Sequence, residues 1–126
     1  MMSRFLNNPI TTDLDNTLVQ LEADLAYESD LLCCTVTVPK GFICDLESVP
    51  RIPLIYAYLG HTSKRAGILH DYLYRIGAAP DVTRGEADAV YREASESQGN
   101  TWLQSYLKWL GVRIGGGPCF KKKAVL

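Results

Sequence analysis

Apolar and polar residues alternate from Thr17 to Tyr27, with Val19, Leu21, Ala23, Leu25 and Tyr27 on one side and Gln20, Glu22 and Asp24 on the other. A period of two is the signature of a strand with one face in the core. Glu28-Ser29-Asp30 supplies turn chemistry, and Leu31 to Val38 is a second β-branched run, so the two predict an antiparallel hairpin. Pro39-Lys40-Gly41 breaks the ladder, because proline lacks the N–H donor and glycine tolerates positive φ. Phe42 to Cys44 then resume as a short strand ending at Asp45. Residues 1–16 are polar and turn-rich, with Asn7-Asn8-Pro9, and read as an N-terminal arm with room for one short strand, free to pair with a neighbouring subunit.

Past Asp45 the period changes to that of helices. Ser48 is placed to cap and Pro50 to sit in a first turn, opening a short apolar helix over 51–59 bent by Pro53. Gly60-His61-Thr62 interrupts it, and Ser63 starts a helix running to Ile76. On that helix Leu69, Tyr72, Leu73 and Ile76 form an apolar back, while Gly67, His70, Asp71 and Tyr74 gather on the front. Gly77 ends it, and Thr83 with Glu86 has the spacing of a capping box for a helix that lines up Arg84, Asp88, Tyr91 and Ser95. Gly99-Asn100 closes that helix and Thr101 caps the last one. There Leu103, Tyr106, Leu107, Leu110 and Ile114 make a wide apolar stripe with Trp102 and Trp109 beside it. Such a stripe reads first as core and second as a face that docks a partner. Gly115-Gly116-Gly117-Pro118 stops the helix without a following one to cradle phosphate, so no nucleotide loop is expected. The expected fold class is α+β, with a small antiparallel hairpin or sheet in the N-terminal half and three to four helices in the C-terminal half.

Composition narrows the class. At 126 residues and 47% hydrophobic, the chain fits a single domain over 1–126, with the arm at 1–16 and a basic tail at 118–126. Lys121-Lys122-Lys123 is too short for a polyanion tract and reads as a solvated end. A formal charge of −1 gives the whole chain no footprint for nucleic acid or an anionic membrane. No stretch approaches the roughly 18 apolar residues of a membrane span, and no apolar core of a signal peptide follows Arg4. Cys33, Cys34, Cys44 and Cys119 lack zinc-ribbon spacing and are expected reduced, with Cys33 and Cys34 on opposite faces of a strand.

The chemistry concentrates at Asp45, His70, Asp71 and Asp88. Adjacent residues on a helix diverge by about 100°, so His70 and Asp71 can take different roles at one cavity. An imidazole titrates near neutrality, which makes His70 the general base, and Asp88 on the next helix is the carboxylate to orient it. Asp71 and Asp45 then serve as hard oxygen ligands or structural acceptors. Alternatively Asp45, Asp71 and His70, with Asp88, hold one divalent cation, zinc or calcium, beside an activated water. Against both stands a purely architectural reading, in which these groups tie a strand end to helices. His61 reads as a surface residue, Tyr74 as a packed ring donating its hydroxyl to an aspartate, and Arg65 and Arg75 as partners of nearby carboxylates.

The string V-P-x-G-F-x-x-D-x-x-S-V-P-R, then H-D-Y-L-Y-R, then R-x-E-A-D resembles a phage and prophage family catalogued as domain of unknown function 1353. The matching residues here are Pro39, Gly41, Phe42, Asp45, Ser48, Pro50, Arg51, His70, Asp71, Leu73, Tyr74 and Asp88, within a stretch from Val38 to Ile114. Cys44 and Glu47 depart from the pattern, which has a small or hydroxyl residue at the first position and a small one at the second. The resemblance implies a phage-encoded protein made with the tail genes and supplies no activity. Locally, H-D-Y-L-Y-R with Asp88 is similar to the H-D-x-x-Y helix and supporting aspartate of phospholipase A-two enzymes. That likeness implies His70 as base, Asp71 as calcium ligand and Asp88 as orienter, although the glycine-rich calcium loop and flanking disulfides are missing.

The expectation is therefore a phage tail- or virion-associated protein with a His-Asp hydrolase-like site, acting on cell-envelope peptidoglycan or lipid. Its partners would be other tail or baseplate proteins, with no nucleic acid, and its location the virion or the host cytoplasm during assembly. The alternative is a structural tail or baseplate component in which the same motif is a buried polar network. A third reading is a small inhibitor or adaptor of host proteins.

Overall fold

Three extended stretches, residues 4–13, 18–29 and 34–45, lie side by side and antiparallel, and each is interrupted at the same level. The interruption divides one meander into two three-stranded sheets. In this computed structural model the described residues are 3–14, 18–45, 64–115, 117–121 and 125, without the side chains of Asp45, Lys64 and Cys119. The strands are β1 (Arg4–Phe5), β2 (Thr11–Asp13), β3 (Leu18–Leu21), β4 (Leu25–Ser29), β5 (Cys34–Val38) and β6 (Ile43–Asp45). One sheet has the order β1-β4-β5 and the other β2-β3-β6, all pairs antiparallel.

The single strand expected over 17–27 is thus two strands, β3 and β4, in different sheets. Alternation survives the bend, since Val19, Leu21, Leu25, Tyr27 and Ser29 are all buried. Side chains replace ladder bonds where the strands part. Asn7 Nδ2 donates to the Asp24 carbonyl at 2.8 Å, Ala26 N donates to Asn7 Oδ1 at 2.9 Å, and Lys40 N donates to Asp24 Oδ1 at 2.7 Å. In the third stretch Pro39 offers no donor, and Gly41 turns at φ 89°. The N-terminal arm contributes two strands, β1 and β2, paired with β4 and β3 of its own chain.

The hairpin turn also falls later than expected. Glu28 and Ser29 belong to β4, and the chain reverses over residues 30–33, with Cys33 at φ 55°. Cys33 therefore lies in the turn, exposed, and Cys34 opens β5 half-buried; both carry free thiols.

The helices are α1 (Lys64–Leu73), α2 (Arg84–Ser97) and α3 (Trp102–Gly115), followed by a 3₁₀ turn at Gly117–Cys119. With two antiparallel sheets in the N-terminal half and three described helices in the C-terminal half, the class is α+β. The helix expected over 51–59, with Ser48, Pro50, Arg51 and His61, lies outside the described residues. Caps define the helix starts. Thr83 and Glu86 form a reciprocal capping box at α2, and Thr101 with Gln104 exchanges the same pair of bonds at α3, at 3.0 and 3.2 Å. Gly99, at φ 87°, turns the chain between them.

Phe42, Leu25, Val36 and Val38 from the sheets pack with Ile68, Leu69 and Leu73 of α1 and with Val90 and Ala94 of α2. Each fully buried side chain of this size contributes about 1.5–3 kcal/mol, enough to hold α1 in the interior with both of its faces covered. So the expected reactive front of α1 is buried along with its back. Helix α1 ends at Leu73 rather than near Ile76, and Ile76, placed on the apolar face by periodicity, is 51% exposed.

Helix α3 is turned the other way round from expectation. It buries Ser105, Lys108 and Val112 and leaves Trp102, Leu103 and Ile114 exposed. The basic tail is docked where it is described. Lys121 N donates to the Tyr74 carbonyl at 2.7 Å, Lys121 Nζ pairs with Asp81, and Val125 N donates to the Ile76 carbonyl at 3.0 Å.

Candidate functional site

Asp88 is the centre of the site. It lies on the second turn of α2, which the Thr83 cap starts in register, and its side chain is fully buried. His70, on the last turns of α1, brings Nε2 to 2.9 Å from Asp88 Oδ1. The Tyr74 hydroxyl donates to the same oxygen, and Arg113 Nη1 of α3 donates to Oδ2 at 3.0 Å. Arg84, one turn before Asp88, stands at 4.0 Å from Oδ2. Three helices thus converge on one carboxylate. The His70 ring is further held between Tyr74 and Tyr91, with centroid separations of 4.2 and 4.7 Å.

Burial alone would push the Asp88 carboxyl up. The hydrogen bonds from His70 and Tyr74, the charge of His70 and the Arg113 bond outweigh that effect and hold it below the ordinary carboxylate range. The carboxylate is ionised and accepts from its neighbours. Tyr74 moves oppositely: burial first, then donation to Asp88 and the negative charge beside it, push its hydroxyl well above the ordinary phenol range. Because Asp88 Oδ1 accepts, the proton on His70 resides at Nε2, and in the neutral ring the lone pair is at Nδ1.

Asp71 belongs to a second cluster. Its carboxylate receives Arg75 Nη2 at 2.9 Å and Nε at 3.4 Å, a two-pronged i,i+4 pair. Arg75 also donates from Nη2 to the Ile43 carbonyl of β6 at 3.1 Å and lies 5.1 Å over the Phe42 ring. This cluster ties α1 to the sheet. Asp45 ends β6, its backbone opposite Leu18 in the ladder, and its side chain lies outside the described residues.

Of the four expected site residues, then, the structure brings His70 and Asp88 together and assigns Asp71 to Arg75. Tyr74 donates to an aspartate and Arg75 pairs with a carboxylate, as the sequence suggested. Arg65 instead stacks 5.6 Å over the Phe5 ring. Among the described residues no three His, Cys, Asp or Glu side chains form a metal-ligand set, and the side chain of Asp45, one of the expected ligands, lies outside them. Sequence reasoning missed Arg113. Its only signal was a basic residue in the last turn of a helix, which ordinarily reports a favourable helix end.

Chemically, a buried carboxylate that fixes an imidazole through one nitrogen leaves the other to exchange a proton. The same arrangement, with both oxygens of Asp88 and of Asp71 accepting and each of His70, Asp71, Tyr74, Arg75 and Asp88 no more than 8% exposed, is also a cross-link among helices and sheet.

Comparison with known families matches residues 19–112 to the family described as "Protein of unknown function (DUF1353)". The match begins at β3, well before the Val38 expected from the motif string, and ends in α3. No curated protein and no solved structure matches. The chain belongs to the DUF1353 family.

Proposed function

We propose that this chain is a phage-encoded, tail- or virion-associated protein in which His70 and Asp88 form a proton-handling pair for hydrolysis of a cell-envelope lipid or peptidoglycan bond. The observation that carries the reading is the 2.9 Å bond from His70 Nε2 to a fully buried, ionised Asp88. Asp88 holds the ring orientation and stabilises the imidazolium that forms when Nδ1 takes a proton from water. Tyr74 and Arg113 keep the carboxylate from rotating away, so they act as positioning residues. The H-D-x-x-Y helix with a supporting aspartate supports water activation at His70, by its likeness to phospholipase A-two enzymes. Asp71 departs from that likeness, since its oxygens face the Arg75 guanidinium.

The test compares the parent with His70→Ala on phospholipid vesicles and on purified peptidoglycan, with circular dichroism to confirm folding. Loss of a general base lowers a rate by about 10²–10⁴-fold. Equal rates in the two proteins, or no turnover of either substrate by the parent, removes the enzyme. A second reading is favoured by the low exposure of the whole constellation: a structural tail or baseplate component whose polar network locks α1 to α2, α3 and β6. It expects no turnover and a loss of stability in every variant of the network.

A further inference from the structure

We infer that residues 117–121, anchored again at Val125, form a strap that closes the Tyr74 side of the His70 site and is released to admit substrate. The purpose of this opening rests on the proton-handling reading of His70, whereas the covering itself does not. Burial sets the need for it. His70, Tyr74 and Asp88 are 6%, 4% and 0% exposed, so a base at His70 cannot meet a substrate until something beside it moves.

The strap runs from α2 to the stretch that follows α1, touching a neighbour of Asp88 at each end. Gly117 lies against Arg84, where a Cβ would stand 3.6 Å from the guanidinium carbon, and Arg84 is 4.0 Å from Asp88 Oδ2. Next, the Phe120 ring meets the Tyr74 ring edge-on at 5.2 Å, and Tyr74 in turn lies 4.2 Å from the His70 ring and donates to Asp88. Lys121 N then donates to the Tyr74 carbonyl at 2.7 Å, and Val125 N to the Ile76 carbonyl at 3.0 Å. Tyr74 is thus shared between the site and the strap.

Of the described elements around the site, this one is held least. Helices α1 and α2 bury Leu69, Leu73, Val90 and Ala94 completely in the core. The strap brings Phe120 and Val125 only half-buried to the margin of that core, and Pro118 is exposed. Its ion pair from Lys121 reaches Asp81, whose side chain is 84% exposed, and a pair so open to water holds little. Lys121 also sits at φ 57°, a conformation costly for a residue with a Cβ, and release relieves it. Gly115-Gly116-Gly117 joins the segment to α3 with no side chain to fix the junction. A segment attached in this way opens at a lower free energy than the helices beneath it.

Amide hydrogen exchange of the parent reads the strap without any substitution. The amides of Lys121 and Val125 are expected to exchange at least about tenfold faster than those of Val90 and Tyr91 in α2, and independently of low urea, as local opening requires. Labelling of His70 by diethylpyrocarbonate, with peptide mass spectrometry to separate it from His61, reads access to the imidazole. Phe120→Ala removes the ring on Tyr74, and Lys121→Pro removes the N–H donor and forbids the positive φ. Both variants are expected to label His70 at least about tenfold faster than the parent while circular dichroism shows them folded. The strap is refuted if Lys121 and Val125 exchange only as slowly as the α2 amides, because the segment then opens only with the whole fold. It is refuted equally if both variants label at the parent rate, because the segment then closes nothing. Turnover separates the two ideas: faster labelling in variants and parent that hydrolyse nothing leaves the strap and removes the enzyme. Hydrolysis that His70→Ala abolishes, beside labelling that neither strap variant changes, leaves the enzyme and removes the strap.

Discussion

Asp88→Asn is the most demanding perturbation of this structure. Asparagine keeps the shape of the side chain and one acceptor oxygen, so His70 and Tyr74 retain partners as neutral hydrogen bonds. A bond to a charged group contributes about 1.5–3 kcal/mol and a neutral one about 1 kcal/mol, so each of these bonds weakens by about 1 kcal/mol. The other branch is worse. The amide NH₂ now faces Arg113 Nη1, donor against donor, where the carboxylate accepted at 3.0 Å. The Arg113 side chain is 36% exposed, so water replaces part of what it loses and the added cost is held to about 1 kcal/mol. The expected loss is about 3 kcal/mol, or about 12 °C in Tm for a chain of this length.

Urea unfolding at pH 7, followed by tryptophan emission, measures the loss as a shift in midpoint with an unchanged slope. The pH dependence supplies a second, independent reading. Asp88 is held below the ordinary carboxylate range, so its contribution is fully present above the unfolded value near 4 and disappears as pH falls through the lower folded value. The stability gap between parent and Asp88→Asn must therefore narrow on acidification below about pH 4. A loss under about 1 kcal/mol at pH 7, or a gap that stays constant to pH 3, refutes the claim that an ionised Asp88 anchors three helices.

Other groups respond in distinguishable ways. Lys108 is buried with Nζ 3.0 Å from Asn100 Oδ1, and burial holds its ammonium below the ordinary lysine range. The unfolded chain therefore binds the extra proton, parent stability rises with pH up to the unfolded value near 10.4, and Lys108→Met should remove that rise and stabilise by roughly 1 kcal/mol at pH 7, as thermal melts across pH 7–10 will show. Tyr27 is pushed up by burial and by its bond to Glu93, so only the unfolded chain ionises above about pH 10; stability falls there, and Tyr27→Phe should flatten that alkaline limb in denaturant titrations. Glu93 accepts from Tyr27 Oη, Ser29 Oγ and Leu31 N at 2.7, 2.8 and 2.9 Å, so Glu93→Ala strands two buried hydroxyls and should cost about 2–4 kcal/mol in urea unfolding.

The sequence was most informative where a local rule has a local cause. The Thr83–Glu86 box needs only residues three apart, and it sets the register that turns Asp88 inward. His70 shares the polar front of its helix with Asp71 and Tyr74, and Asp88 lines up with Arg84 and Tyr91 on the next, so helical spacing alone places them on polar faces, and the packing of the two helices brings them to 2.9 Å. The bend between β3 and β4 had no such local signature. Alternation continues straight through it, and the break is made by Asn7 and the Lys40 amide bonding to Asp24 from stretches about 16 residues away in either direction. Arg113 was hidden for the same reason: its role depends on a helix crossing rather than on its neighbours in sequence.

Helix α3 shows how far periodicity reaches. A 3.6-residue stripe says that two faces differ, but not which one the rest of the chain will cover. Here rotation is set by polar contacts. Arg84 Nη2 donates to the carbonyls of Val112 and Arg113 at 3.0 and 2.5 Å, Arg113 reaches Asp88, and Lys108 reaches Asn100. Turning the helix by half a revolution would bury Leu103 and Ile114 but break all of these bonds and leave Asp88 short of its third donor. The observed orientation has its own cost, since Ser105 Oγ on α3 and Ser95 Oγ on α2 are buried without a hydrogen-bond partner among the described residues. Trp102, exposed and outside this set of contacts, can therefore be changed independently of the site: Trp102→Ser should leave the Asp88 network and the urea midpoint nearly unchanged, whereas Asp88→Asn should lower that midpoint.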